Sequence, residues 1–306
     1  MLAYLSSLPG AVTLGIIWGI MALGVFISYK ILDIPDLTVD GSFATGGAVC
    51  VILMANGCSF WIGILLGFVA GVLCGLVTGL LHTFLGIPPI LAGILTQLAL
   101  WSVNLKVLSG ANRALPARSY TVIFSQLNIP DALWKAALIV AILVIALYVF
   151  FGTELGASIR ATGNNPKMSR AQGINTNAAT IAGVTISNAL IGLAGALYIQ
   201  NQKAMYATSA TGYLIVGLAA ILIGEAVFGK RSFKNSLISV CLGAIVYFTI
   251  INVATFVFQM PTELSKLLYA ILIVIALCIP IFKTWFKKLG KRIAKLFKKN
   301  KESEVK

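Results

Sequence analysis

The sequence predicts an all-α, polytopic helical membrane protein with about nine transmembrane helices, and three observations carry that prediction. Hydrophobic residues fill 59% of the 306 positions and charged residues only 10%, with a mean hydropathy of +0.96, too apolar for a soluble globule of this size. Apolar runs recur at lengths near the roughly 20 residues that a helix needs to cross a hydrocarbon core of about 30 Å. The sequence shows no series of the weakly alternating segments, about ten residues each, that mark a membrane β-barrel.

The first span, 11–29, follows no basic n-region and no small-residue cleavage site, so it is read as retained in the membrane and not as a signal peptide. The second, 43–56, is short. Before it lies ILDIPDLTVDGS (31–42), whose Asp33, Asp36 and Asp40 are a third of the nine acidic residues in the chain. Part of this segment is expected to enter the membrane as broken helix facing protein or water. Ionisable groups at that depth point to function; capping of the second helix, or pairing with Lys30, is the competing reading.

The third span, 60–81, carries Gly63, Gly67, Gly71, Gly75 and Gly79, a four-residue ladder that lets a neighbouring helix approach backbone to backbone. The fourth, 87–103, opens on Pro88 and Pro89, which suit a helix N-terminus because missing amide donors cost little there. The remaining spans are 133–151, 180–199, 213–228, 236–258 and 266–282. Residues 1–282 therefore read as one transmembrane domain.

Residues 283–306 read as a basic amphipathic tail. Ten of the 23 basic residues of this chain of net charge +14 fall there, with Trp285, Leu289, Ile293 and Leu296 at helical spacing among them. That pattern suits an anionic lipid surface and not nucleic acid. The positive-inside rule places this C-terminus in the cytoplasm. Counting back puts 229–235 and 153–179 inside as well, and the N-terminus and 104–131 outside, the last despite its Lys106, Arg113 and Arg118.

Chemical motifs are few. GEAVFGK (224–230) satisfies the first seven positions of a phosphate-binding loop, but Arg231 stands where a Ser or Thr should hold magnesium, and the segment ends an apolar span. Glu225 is expected to pair with Lys230 or Arg231, or to touch a partner. His82 is the only histidine and has no companion ligands, so no metal is expected. The five cysteines are odd in number, lack CxxC spacing and read as small buried hydrophobes. No nucleophile has a recognisable base partner. Neither catalytic residues nor a cofactor are expected, and the chain is read as a transport subunit.

The one long polar interruption with a readable motif is TELGASIRATGNNPKMSRAQGINTNAA (153–179). With ALGVFISYKILDIPDLTVDGSFATGGAV and TGYLIVGLAAILIGEAVFGKRSFKNSLISVCLGA, it resembles the transmembrane permease subunits of ATP-binding-cassette importers, in the branch that includes ribose-type and branched-chain amino acid permeases. The resemblance runs through nearly the whole chain, and the aspartate-dense segment looks closest to permeases labelled for tryptophan or tyrosine transport.

That resemblance implies a type II ABC importer-like fold in a bacterial plasma (inner) membrane. It implies three partners: separate ATP-binding cassette ATPase subunits, a substrate-binding lipoprotein or periplasmic protein, and a second permease copy forming a homodimer. Segment 153–179 would be the loop that couples the permease to the ATPase, with Arg160, Gly163, Asn164, Asn165, Lys167, Arg170, Gln172 and Gly173 as contact candidates. The translocation path, for a small polar solute and first of all an amino acid, would use Asp33, Asp36, Asp40, Thr45, Gln97, Asn188 and Asn252. Asn56, Thr96, Asn104, Thr185 and Thr249 are further polar residues in or beside the spans. Asn188 and Asn252, mid-span, must either bridge helices or face the cavity. Two other readings stand beside this one. An ion-coupled secondary transporter would use Asp33, Asp36 and Asp40 as a proton or sodium site, although only one broken region is evident where such transporters show two. An importer of the same family would instead carry a sugar or nucleoside.

Overall fold

Every apolar run within the described residues folds as a helix, which satisfies its backbone amides without water. The computed structural model describes residues 2–115, 123–124, 129–207 and 211–258, together with 267, 270, 271 and 274. The chain falls into two units, Met1–Met260 and Pro261–Lys306, and all packing described below lies within the first.

Helix α1 (Leu2–Val25) continues through a π-helical turn, Phe26–Ile31, and is followed by α2 (Val39–Ala55), α3 (Phe60–Thr83), α4 (Pro89–Leu108), strand β1 (Asn112–Ala114) and α5 (Ile129–Phe150). Then come α6 (Glu154–Asn164), α7 (Pro166–Ala171), α8 (Thr176–Gln202), strand β2 (Ala204–Tyr206), α9 (Tyr213–Phe228) and α10 (Phe233–Phe258). Among the described residues six helices are long and apolar enough to cross a membrane, and Val39–Ala55 and Tyr213–Phe228 are shorter apolar helices. These eight correspond in order to the first eight predicted spans. The ninth, 266–282, lies outside the described residues except at Leu267, Ala270, Ile271 and Val274, and the tail 283–306 lies wholly outside them.

The predicted glycine ladder packs the core. Gly67, Gly71, Gly75 and Gly79 of α3 meet Ala196, Asn188, Val184 and Ile181 of α8 in antiparallel order, and a Cβ on Gly71 would strike the Asn188 carbonyl oxygen. Helix α2 wedges into the same seam, with Gly46 on Gly192 backbone to backbone.

The second half of the chain repeats this arrangement upside down. Long α1, short α2 and long α3 are matched by long α8, short α9 and long α10. Helix α1 runs antiparallel to α8, since Trp18 meets Tyr198 and Gly24 meets Ser187 and Ile191. Just as α3 packs antiparallel on α8, α10 packs antiparallel on α1, with Ile245 on Gly15 and Cys241 on Gly19. Each short helix lies along the other half's long helix. Ser42 and Gly46 of α2 follow Asn188 and Gly192 of α8, while Tyr213, Gly217 and Glu225 of α9 follow Trp18, Met21 and Lys30 of α1. The sequence shows one broken region; the fold contains two.

An aromatic cluster closes the centre. Trp18 stacks on Phe43 at 5.5 Å and meets Tyr213 at 4.5 Å and Phe248 at 5.0 Å between ring centroids, tying together α1, α2, α9 and α10. The antiparallel β1–β2 pair, Asn112 to Tyr206 and Ala114 to Ala204, was not expected from the sequence and ties the segment after α4 to the segment after α8. By contrast, α4 and α5 leave Leu91, Leu95, Trp134 and Ile145 exposed, faces suited to lipid or to another apolar surface.

Candidate permeation cavity and coupling segment

The three aspartates of the break do not gather into one ion site. Asp33 has φ +56°, is exposed, and sits beside α6 and α7. Asp36 is buried, its carboxylate accepting from the Thr38 amide at 2.8 Å and from Asn188 Nδ2 at 2.6 Å. Asn188 also donates to Val184 O at 3.0 Å and accepts from Ser42 Oγ at 2.6 Å. Of the two alternatives for Asn188, it therefore bridges helices. Thr38 Oγ1 and Thr78 Oγ1 share a hydrogen bond at 2.8 Å next to this knot, fastening α3 to the break.

Asp40 does something else. Its carboxylate accepts from the backbone amides of Gly212 at 2.8 Å and Leu214 at 2.9 Å, capping α9 from the first turn of α2. The N-termini of the two short helices thus meet on one acidic side chain, which complements the positive ends of both helix dipoles. Lys30, the partner that the competing reading gave these carboxylates, pairs elsewhere: its Nζ lies 3.2 Å from Glu225, which Lys230 also approaches at 3.9 Å.

Asp40 also lines a cavity of about 310 Å³ between α2, α4 and the segment before α9. Gln97, Trp101, Asn104 and Thr211 share its wall with Gly41 and Ala44. Asn104 is 1% exposed, and neither of its amide atoms has a hydrogen-bond partner in the protein. Of the seven predicted path residues, the structure brings Asp40 and Gln97 together here. Thr45 instead back-bonds to Gly41 O within its own helix at 2.8 Å, and Asn252 sits half-buried on α10, away from this wall. Trp101 and Thr211 were not singled out from sequence, because an aromatic on an apolar span and a threonine in a loop carry no distinguishing pattern.

Segment 153–179 folds as α6, α7 and the start of α8, each helix capped at its start by a side chain. Thr153 accepts from the Gly156 amide, Asn165 from Met168 and Asn175 from Ala178, the last two at 3.1 Å. Gly173 ends α7 at φ +82°, a conformation glycine adopts without strain. A Cβ on Gly163 would strike the Ile31 carbonyl oxygen, so α6 lies directly on the end of α1. Arg160 stacks over Phe233 at 5.4 Å, and Arg170 Nε donates to Thr176 Oγ1 at 2.8 Å. Asn164, Lys167 and Gln172 are exposed, as are two apolar side chains the sequence reading passed over, Leu155 and Met168.

Among the described residues no group of three His, Cys, Asp or Glu side chains is placed to hold a metal ion. The GEAVFGK segment is the end of α9 followed by Gly229, not a strand leading into a helix. His82 Nδ1 is bonded to Ile87 O at 2.8 Å.

Residues 8–277 match a family described as branched-chain amino acid transport system / permease component. The chain is 34% identical over 298 residues to a tyrosine transport system permease protein of Clostridioides difficile (strain R20291), covering 97% of this chain and 99% of that one. It is 26% identical to a probable branched-chain amino acid transport permease protein of Methanocaldococcus jannaschii over 76% of each chain. It is 27% identical to the ribose import permease protein of Escherichia coli (strain K12) over 39% of this chain and 36% of that one. No solved structure matches.

Proposed function

The chain belongs to the branched-chain amino acid transport system / permease component family, and from that premise we propose that it imports an amino acid through the Asp40 cavity, driven by a separate ATPase. At the coarser level, it is an ABC-type permease, a membrane-spanning transport subunit without catalysis of its own. Although the fold has the two breaks that an ion-coupled transporter would show, that alternative falls with the family and with the dispersal of Asp33, Asp36 and Asp40 among unrelated partners.

The observation that carries the proposal is the contact of Gly163 with Ile31. An ATPase gripping α6 and α7 at the exposed Lys167, Met168 and Gln172 would move the end of α1 directly. Residues 32–38 connect that end to α2, whose Asp40 holds α9 and lines the cavity. Nucleotide-driven movement thereby reaches the cavity through backbone contacts, provided that the ATPase binds the two permease conformations with different affinity. Asp40, Gln97 and Asn104 offer an acid and two amides to a polar solute, and Trp101 an apolar wall. The acid suits the ammonium group of an amino acid, in keeping with the names of two of the relatives. The working assembly has two permease copies, ATPase subunits on the α6–α7 side and a binding protein on the other. This puts α6, α7 and the C-terminus in the cytoplasm, where the tail would rest on anionic lipid.

Two measurements test the proposal. A C-terminally tagged protein extracted gently from its native membrane should co-purify with an ATPase subunit and a substrate-binding protein. Uptake of tyrosine, branched-chain amino acids, ribose and nucleosides by the same cells should show an amino acid as the solute. Recovery of neither partner, or uptake of ribose or nucleoside alone, sinks the corresponding half of the reading.

A further inference from the structure

Between the end of α1, the C-terminal end of α3 and the joint of α6, α7 and α8 lies a second recess, a crevice of about 430 Å³. Small-molecule sites span about 300–1,000 Å³, so the volume suits a metabolite. Its wall includes Asp33, His82, Thr162, Asn164, Arg170 and Asn177.

Three of these have bonding capacity to spare. Asp33 and Arg170 face the same crevice, yet neither makes an ion pair among the described residues. Arg170 gives only its Nε hydrogen to Thr176, leaving the hydrogens on its terminal nitrogens available. Thr162 is 4% exposed, and its Oγ1 has no hydrogen-bond partner in the protein. A buried hydroxyl without a partner is costly, and here it lines the same crevice as an unpaired acid and an unpaired base.

We propose that this crevice is a second binding site that takes a free α-amino acid as its zwitterion, the carboxylate on Arg170 and the ammonium group on Asp33. Guanidinium and carboxylate groups bind such partners through charge-assisted hydrogen bonds, roughly twice as strong as neutral ones. Occupancy ties the end of α1 to the α6–α7 joint, the contact through which the permease is moved. A ligand entering from that side therefore biases whichever conformation closes the crevice. The choice of ligand rests on the reading that the transported solute is an amino acid; the site is distinct from the Asp40 cavity.

The test is equilibrium binding to the full-length permease in phosphatidylcholine/phosphatidylglycerol nanodiscs. The probes are L-tyrosine, tyramine, which lacks the carboxylate, and 3-(4-hydroxyphenyl)propanoate, which lacks the ammonium group. Tyrosine should bind saturably and each analogue at least tenfold more weakly. Asp33→Asn should weaken tyrosine at least tenfold and erase its advantage over the acid that lacks the amine. Asparagine tolerates positive φ, so the backbone there is preserved. Arg170→Gln should erase the advantage over tyramine, and Thr162→Val should weaken tyrosine severalfold without changing either preference. Lys135→Gln, on α5 and outside the lining of both cavities, should leave all of this unchanged. Loss of binding in Gln97→Ala with none in Asp33→Asn and Arg170→Gln would assign the ligand to the Asp40 cavity and overturn the second site. Absence of saturable tyrosine binding would also overturn it, while amino acid uptake by cells would still uphold the transport reading. Uptake of a sugar alone would remove that reading instead.

Discussion

Asn188 of α8 donates its amide to the Asp36 carboxylate across 2.6 Å in a fully buried setting, joining the break after α1 to the helix that carries the glycine seam. Ser42 completes the knot from α2. Removing one member of such a pair leaves a buried polar group unsatisfied, at about 1–3 kcal/mol and more for a charge. Asn188→Ala and Asp36→Ala should each lower the unfolding midpoint in detergent, and the double variant should lose less than the sum of the two. Strict additivity would mean that the two side chains do not depend on each other.

The α3–α8 seam makes a second prediction. Gly71 meets the backbone of α8, whereas Gly10 of α1 has nothing within 4 Å of an added Cβ. Gly71→Ala should therefore cost about 1–3 kcal/mol through overpacking. Gly10→Ala should be neutral or stabilising by up to about 1 kcal/mol, because alanine favours helix. Thermal unfolding of both variants against the parent checks this, and equal effects would reject the seam as a close backbone contact.

How much of this was legible in the sequence varies with the range of the interaction. The α3 ladder and the proline start of α4 are local patterns, and both stand where they were read. The caps on α7 and α8 are equally local, since Asn165 and Asn175 each precede the amide they accept from by three residues. Asn165 and Gly173 are thus spent on shaping the segment, leaving Lys167, Gln172 and Met168 as its exposed face. Asp40 was visible as an acid at a broken helix and as a cap for the second span, but not as a cap for α9, because its partners Gly212 and Leu214 lie 172 and 174 residues away. The second break escaped notice for the same reason: 213–228 reads as an ordinary apolar span until its N-terminus is seen to stop on Asp40. The β1–β2 pair is three residues a side and has no alternation to betray it.

For the coupling segment, the exposed face and the shaping residues should separate in experiment. Lys167→Glu and Met168→Asp should reduce ATPase recovery and uptake while leaving the unfolding midpoint unchanged. Asn165→Ala should instead fray α7, with a loss of about 0.5–2 kcal/mol in local stability that shows as faster proteolysis between α6 and α8. Full ATPase recovery with both Lys167→Glu and Met168→Asp would place the docking face elsewhere.

The cavity makes the sharpest prediction, because stability and transport should move in opposite directions at one residue. Asn104 keeps both amide atoms buried without a partner beside Gln97 and Asp40. In a structural role that arrangement is a defect costing about 1–3 kcal/mol, which an apolar side chain of similar size would remove. In a path, the same amide is free to meet a passing solute, and the instability is the counterpart of that function. Asn104→Leu should accordingly raise the unfolding midpoint and depress the maximal uptake rate at least severalfold, with ATPase recovery unchanged. Gln97→Ala should depress uptake without the gain in stability, since Gln97 is not fully buried. If Asn104→Leu were more stable and transported at the parental rate, the Asp40 cavity would not lie on the route. If it were less stable, the buried amide would not be the defect that the cavity reading makes of it.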